Sequence, residues 1–297
     1  MIIEIPEPKD FFDQAKELFV SSWKTIITFL KDVEYGNEYA DELDFCEPEY
    51  WQRSFRYLSL ALSTIQHGVE LTLKGIICQT SPFLLVSSHN FSWSKYSTDI
   101  EFSKFKTLDA SKLLEVCKKV SKHSFTTKFD TEYEKMRELR NIIIHSVDKN
   151  IKKDAVDVLE TLLFMHRILF PEELWIETRS SCLMNEPCNL IGADEFSVNL
   201  LSLELELAIN RLPADKVKTY FHVDKNLPAY YCPECYYRAN TDGGFEHKLA
   251  RFTSNAPDCT TLHCPVCNQD YEIERGTCSS CSGQIMSKGG LCLECAD

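Results

Sequence analysis

The sequence lacks long apolar runs: no stretch of about 18 consecutive apolar residues occurs among its 297 residues. Its first ten residues also lack the basic segment followed by an apolar segment that marks a secretory signal peptide. Neither a membrane span nor a signal peptide is predicted. We therefore expect a cytoplasmic protein with no membrane partner.

Basic residues are also scarce. The 32 Lys and Arg residues are outnumbered by 45 Asp and Glu, and the net charge of −13 argues against a protein that simply coats nucleic acid. Residues 100–170 are the exception, with 14 basic and 11 acidic side chains, whereas 1–99 carry 8 and 15 and 171–297 carry 10 and 19. The small positive excess in 100–170 fits either a solvated helix face or a cleft that handles RNA.

Apolar residues recur at helical spacing in five segments of the N-terminal half. These segments are 10–31, 49–79, 109–120, 131–146 and 152–170. They predict a mainly α fold in which residues 1–171 form an antiparallel helical bundle. Residues 172–230 contain two alternating stretches, 203–209 and 217–223, and are predicted to be a small β-rich connector, although Leu and Glu favour helix.

Cysteine, in contrast, is abundant. Eight of the fourteen cysteines form four Cys-x-x-Cys pairs, all after residue 230. In a reducing compartment this spacing favours metal ligation over disulfides. Residues 231–297 are therefore predicted to form a tandem zinc-ribbon domain. Its candidate ligands are Cys232, Cys235, Cys264, Cys267, Cys278, Cys281, Cys292 and Cys295.

Two pairings of these cysteines are possible. Sequential pairing joins the first pair to the second and the third to the fourth, while a nested arrangement joins the outer pairs and the inner pairs separately. The last two pairs span only 18 residues, too few to bury a core without a metal. We predict two structural zinc ions, because four thiolates leave no open coordination position for catalysis. The interval between the first two pairs is poor in basic residues, so protein binding or dimer bracing is as plausible a role as nucleic-acid binding.

Residues 140–145 read Arg-Asn-Ile-Ile-Ile-His, near the end of the fourth predicted helix. Arginine can hold a phosphate through a forked hydrogen bond, and histidine can move a proton near neutral pH. The same residues also fit a surface arginine and a helix-end histidine that interacts with the last carbonyls. On one straight helix Arg140 and His145 point about 140° apart. A shared site therefore requires two facing copies of the helix, or a helix that ends before His145.

The segment resembles the HEPN superfamily (higher eukaryotes and prokaryotes nucleotide-binding domains), whose ribonuclease members carry Arg-x(4–6)-His with a polar residue after the Arg. Arg140, Asn141 and His145 match this pattern. Helix 49–79 looks like the first core helix of that family, in which a Glu and a Lys recur, here Glu70 and Lys74. The resemblance covers about residues 10–170. Glu70 and Lys74 could line the cleft, or they could only support their own helix as an i,i+4 pair.

The resemblance implies a metal-independent endoribonuclease built at a homodimer interface. His145 would take the 2′-hydroxyl proton, Arg140 would hold the scissile phosphate, and Asn141 would orient one of them, leaving a 2′,3′-cyclic phosphate. Because the 2′-hydroxyl is the nucleophile, the implied substrate is RNA. Members of the family act as toxins and in phage defence. Toxin members paired with a nucleotidyltransferase often carry Tyr two residues after the His, where this chain has Val147, so control through that Tyr is not implied.

An alternative function is a non-catalytic dimeric adaptor. In that hypothesis the helical bundle dimerises, and the zinc ribbons bind protein or nucleic acid. In either case the ribbons could hold a regulatory protein partner.

Overall fold

The computed structural model describes residues 1–87, 99–145, 154–186, 194–239 and 244–297, and the side chains of 143–145 and 194–196 lie outside the description. The described chain is mostly helical, with small sheets. The helices are α1 (Pro8–Glu38), α2 (Ala40–Leu43), α3 (Glu47–Thr80), α4 (Ala110–Val120), α5 (Thr127–His145), α6 (Ala155–Leu169), α7 (Trp175–Met184), α8 (Asp194–Arg211), α9 (Ala214–Phe221) and α10 (Pro233–Ala239). The strands are β1 (Ile2–Ile3), β2 (Ile100–Glu101), β3 (Arg251–Phe252), β4 (Thr261–Cys264), β5 (Gln269–Arg275) and β6 (Ile285–Ser287).

The chain divides into two compact units. The first comprises residues 1–26 and 46–169, and the second comprises residues 27–45 and 170–297. Residues 172–230 thus lie in the same unit as the four Cys-x-x-Cys pairs. Among the described residues, no helix is both long enough and apolar enough to cross a bilayer.

Helix α3 is the centre of the first unit and packs against α4, α5 and α6. Its buried positions recur every three or four residues, as a helix inside a bundle requires. Helix α1 approaches α3 closely at Gly75, where an added Cβ would lie 2.6 Å from the ring of Phe12. The five helices predicted for this half of the chain are confirmed as α1, α3, α4, α5 and α6. A short parallel pairing of β1 with β2 accompanies them.

The prediction of a β-rich connector was wrong. The stretch 203–209 lies within α8, and 217–223 lies mostly within α9. Leu and Glu are strong helix formers, and α8 is buried on most sides, so its sequence shows no single apolar stripe. The less buried positions, Leu203, Glu206 and Asn210, follow helical spacing instead of alternation. The buried Glu204 produced the apparent period of two, and its carboxylate is neutralised by an ion pair with Arg179.

The C-terminal residues form a four-stranded antiparallel sheet in the order β3-β4-β5-β6. Strand β5 pairs with β4 through residues 269–272 and with β6 through residues 273–275. One continuous strand therefore belongs to both hairpins of the cysteine-rich region.

Candidate metal centres and the Arg140 site

The eight cysteines of the Cys-x-x-Cys pairs gather into two tetrads. The sulfur atoms of each tetrad all lie within 4.8 Å of one another. The first tetrad, Cys232, Cys235, Cys264 and Cys267, joins the first two pairs, and the second tetrad, Cys278, Cys281, Cys292 and Cys295, joins the last two. The sequential pairing is therefore the one that forms, and the nested arrangement is excluded.

The sulfur spacing of the tetrads fits a tetrahedral metal site. The sulfurs of Cys232 and Cys267 are 3.7 Å apart, and those of Cys235 and Cys264 are 3.8 Å apart. In the second tetrad the sulfurs of Cys278 and Cys295 are 3.7 Å apart, and those of Cys281 and Cys292 are 3.6 Å apart. A tetrahedron with metal–sulfur bonds of about 2.3 Å has edges of about 3.8 Å, whereas a disulfide requires about 2.05 Å. Each tetrad could thus hold one thiolate-bound ion.

The backbone around the cysteines is shaped for ligation. Three of the four pairs are followed directly by a residue in the left-handed region: Asn268 (φ 52°), Ser282 (φ 61°) and Ala296 (φ 67°). This conformation tightens the turn after the second cysteine, so that backbone N–H groups can point at sulfur. The N–H of Gly283 donates to the sulfur of Cys281 at 3.3 Å, and such donors stabilise a thiolate. The remaining pair is positioned instead by the start of α10.

Two hydrogen bonds link the regions of the two tetrads in addition to strand β5. The Tyr236 hydroxyl donates to the carbonyl of Ala296 at 3.0 Å, and Lys248 Nζ donates to the carbonyl of Glu294 at 2.6 Å. Each bond joins the region of the first tetrad to the chain around Cys295. The ribbons are thus one continuous structure that carries two centres.

Helix α8 is fixed to its surroundings by charged contacts. The guanidinium of Arg179 on α7 is 1% exposed, and its Nε and Nη2 donate to the two carboxylate oxygens of Glu204 at 2.9 and 2.8 Å. Burial alone would lower the pKa of Arg179, but the carboxylates of Glu204 and Glu186 outweigh it and raise the pKa. Two residues further along α8, Oε2 of Glu206 lies 2.6 Å from Nδ1 of His247. The connector and the cysteine-rich segment are thereby joined within the second unit.

The Arg140 side chain lies where α5 packs against α3. Its Nη1 is 3.2 Å from Oε1 of Glu70, and the same oxygen accepts from Nε2 of Gln66 at 3.2 Å. Gln66 is fully buried and the Glu70 side chain is 12% exposed, whereas Arg140 is 34% exposed. A chain of polar contacts therefore runs from the core of the first unit to a partly exposed guanidinium.

Glu70 also influences the nearby phenol of Tyr133. Burial raises the pKa of Tyr133, and the negative charge of Glu70 raises it further. The Tyr133 hydroxyl remains protonated and donates to the carbonyl of Ala110 at 2.6 Å. Tyr133 is therefore a structural contact of α5.

The other predicted site residues are placed less closely together. Lys74 donates from Nζ to the hydroxyl of Thr107 at 3.3 Å. Asn141 is exposed on α5. The side chain of His145 lies outside the described part of the structure, as does Val147. Backbone helix continues through His145, and this removes the alternative in which α5 ends before it.

Several residues of these sites were not identified from the sequence. Gln66 has an available signal, because it lies one turn before Glu70 on the same helix face. The left-handed residues after the cysteines carried no such signal, since none of the three is glycine. The contact between Glu70 and Arg140 joins positions 70 residues apart, which a single sequence does not reveal.

Comparisons with protein-family models, with curated proteins and with solved structures found no match to this chain. The HEPN resemblance therefore stays a prediction from the sequence.

Proposed function

We propose that the protein is a metal-independent endoribonuclease of the HEPN type, which cleaves RNA at a homodimer interface. The observation that carries the proposal is the environment of Arg140. The Arg140 guanidinium pairs with Glu70, whose carboxylate also accepts from Gln66, and is 34% exposed, so it is positioned in advance for an anionic ligand. It lies on the helix that also carries His145.

In the proposed reaction Arg140 binds the phosphate that will be cleaved and neutralises the charge that develops on it. His145 accepts the proton of the neighbouring 2′-hydroxyl. The 2′-oxygen then attacks phosphorus, the bond to the 5′-oxygen breaks, the departing 5′-oxygen takes a proton from water, and a 2′,3′-cyclic phosphate forms. Asn141 is assigned the orientation of His145 or the phosphate. None of these steps needs a metal ion.

The proposal requires two chains. Positions 140 and 145 of a continuous helix diverge by about 140°, so one α5 cannot direct both side chains at a single phosphate. Two facing copies of α5 can do so, with Arg140 and His145 on opposite chains. A homodimer is accordingly part of the proposed mechanism, and a toxin or antiviral effector is the biological role that the resemblance suggests.

We further propose that each cysteine tetrad binds Zn²⁺. Four thiolates at tetrahedral spacing suit zinc, and a closed four-sulfur site serves structure. Metal analysis of the purified protein should give two zinc ions per chain. The zinc ions would hold the ribbons together and take no part in RNA cleavage.

The test of the nuclease is RNA cleavage by the purified protein in the presence of EDTA, with retained zinc measured in parallel. Wild type should release fragments that end in 2′,3′-cyclic phosphate, and an oligonucleotide with one ribose among deoxyriboses should be cut only after that ribose. Arg140→Ala and His145→Ala should each lower the rate about a hundredfold or more. Lys74→Ala is the matched control, because it removes a nearby cation that contacts Thr107, and it should retain most of the activity.

The adaptor hypothesis has one specific observation in its favour. The charge of Arg140 is already balanced by Glu70 at 3.2 Å, as in a purely structural ion pair. If wild type and His145→Ala leave every RNA intact as dimers that retain both zinc ions, the nuclease proposal fails and the adaptor is favoured.

A further inference from the structure

The second unit contains a polar cavity of about 560 Å³ beside the first cysteine tetrad. It is formed by the β4–β5 hairpin together with residues that follow α9 and β3. The lining residues are His222, Thr253, His263, Asn268, Gln269 and Asp270. We call it the acceptor cavity, because several of its lining residues offer hydrogen-bond acceptors.

Three lining residues, Asn268, Thr253 and His263, each direct one hydrogen-bond donor to another group of the protein. Asn268 donates its Nδ2 to the carboxylate of Glu177 at 3.0 Å. The Thr253 hydroxyl donates to the carbonyl of Thr261 at 3.4 Å. These bonds leave the amide oxygen of Asn268 and the lone pairs of the Thr253 hydroxyl as acceptors for a ligand, beside the second N–H of the Asn268 amide.

His263 and Asp270 follow the same pattern. They are cross-strand neighbours, and Nδ1 of His263 lies 2.7 Å from Oδ1 of Asp270. A carboxylate can only accept, so the proton of this bond belongs to Nδ1 of His263. Within the described residues, Nε2 is buried and has no hydrogen-bond partner. The Asp270 side chain is 62% exposed, which leaves its second oxygen accessible.

The part of the chain that surrounds the cavity carries a net negative charge. Residues 171–297 carry 10 basic and 19 acidic side chains. Each centre of one Zn²⁺ and four thiolates would add two further negative charges. A field of this sign repels the phosphates of RNA and attracts cations.

We propose that the acceptor cavity binds an arginine or lysine side chain presented by a partner protein. A guanidinium or ammonium group supplies donors only, and these match the acceptor oxygens of Thr253, Asn268 and Asp270. Asp270 supplies the opposite charge. The ribbons would then dock a basic protein segment, independently of whether the first unit cleaves RNA.

The test uses the full-length, zinc-loaded protein and a short fluorescein-labelled peptide of alternating Arg and Gly, with fluorescence polarisation as the readout. The same peptide with Glu in place of Arg, and a single-stranded RNA oligonucleotide, are the comparison probes. The Arg peptide should bind saturably, and the Glu peptide should not. Asp270→Asn should weaken Arg-peptide binding by about tenfold or more, the effect of losing a charge-assisted hydrogen bond.

Glu274→Gln is the matched control. It removes one exposed carboxylate from the same strand, β5, outside the cavity, and it should leave peptide affinity nearly unchanged. Zinc content is measured for both variants, so that loss of the ribbon fold is recognised. A second variant, Thr253→Val, removes an acceptor without changing charge and should weaken binding by a smaller factor.

Three results would overturn the proposal. One is equal binding by wild type and Asp270→Asn, and another is an equal loss in Glu274→Gln, which would indicate diffuse charge in place of a site. The third is RNA that displaces the peptide and loses affinity in Asp270→Asn, because the cavity would then be a nucleic-acid site.

Discussion

The two units of the chain are stabilised by different kinds of interaction. In the first unit, α3 is surrounded by apolar side chains, and the buried residues along it are mainly aliphatic. In the second unit, a comparable stretch of chain depends on two cysteine tetrads and on a buried ion pair between Arg179 and Glu204. We therefore expect the first unit to keep its fold when metal is removed and the second unit to lose it.

A similar contrast exists between the two tetrads. In the first, Cys232, Cys235 and Cys264 are buried, and α10 and the β4–β5 hairpin enclose the sulfurs. In the second, Cys281 is exposed. Since ligand burial limits access of chelators and competing thiols, the second centre should exchange its metal first.

Metal removal should produce the largest difference between the two units. A thiol-reactive mercurial added to the zinc-loaded protein should unfold the ribbons, because a structural zinc contributes about 10 kcal/mol or more of apparent binding free energy. Hydrogen exchange read by mass spectrometry should accelerate in β4, β5 and α10 and remain slow in α3. Zinc should be released in two phases, of which the faster belongs to the second tetrad.

Cys281→Ser and Cys264→Ser separate the two centres. Cys281→Ser should lose one zinc per chain and keep protection in β4, whereas Cys264→Ser should lose protection in β4 as well. Equal acceleration of exchange in α3 and β4 after metal removal would contradict the proposed independence of the first unit.

The second largest effect is expected at the buried ion pair. Glu204→Ala leaves the guanidinium of Arg179, which is 1% exposed, without its bidentate partner. Removing one member of such a pair costs about 3–5 kcal/mol, so exchange in α7 and α8 should accelerate by at least about a hundredfold. Glu206→Ala is the control, because its carboxylate is 38% exposed and faces the partly exposed His247. A Glu204→Ala variant as stable as Glu206→Ala would show that the ion pair is not what fixes α8.

The same contrast explains which features could be predicted from the sequence. The helices of the first unit repeat apolar residues every three or four positions, and the tetrads repeat Cys-x-x-Cys; both patterns are local. Helix α8 has neither signal, because it is buried on most sides and its carboxylates Glu204 and Glu206 are balanced by partners distant in sequence. The wrong β-rich prediction followed from reading this alternation without those partners.

The candidate sites divide in the same way. The metal ligands could be identified because all four pairs have one spacing. The surroundings of Arg140 could be identified only in part: Glu70 was a candidate on family resemblance, but Gln66 and the separate position of Lys74 beside Thr107 depend on tertiary packing. The acceptor cavity had no sequence signal, because its residues come from three separate segments and are individually ordinary.

The smallest expected effect concerns pH and the first unit. His166 on α6 is 1% exposed and its ring lies edge-on to Phe19, with centroids 6.4 Å apart. Burial, assisted by the positive charge of Lys16, lowers the pKa of His166 to about 3. The unfolded chain, with a histidine pKa of about 6.5, binds a proton more readily than the folded chain. His166 therefore leaves stability intact above pH 6.5 and lowers it as the pH falls from 6.5 towards 3.

Between pH 7 and pH 6 this linkage should cost the first unit about 0.7 kcal/mol, and the loss should steepen towards about 1.4 kcal/mol per pH unit below that. The measurement is urea denaturation of the first unit, monitored through hydrogen exchange in α3 and α6, over a pH range in which zinc content is unchanged. His166→Gln should reduce this pH dependence even if it lowers stability overall, while His67→Gln, at an exposed position of α3, should retain it. A pH dependence that persists in His166→Gln would assign the acid sensitivity of the first unit to other groups. The two units would then differ in their response to metal but not in the origin of their response to acid.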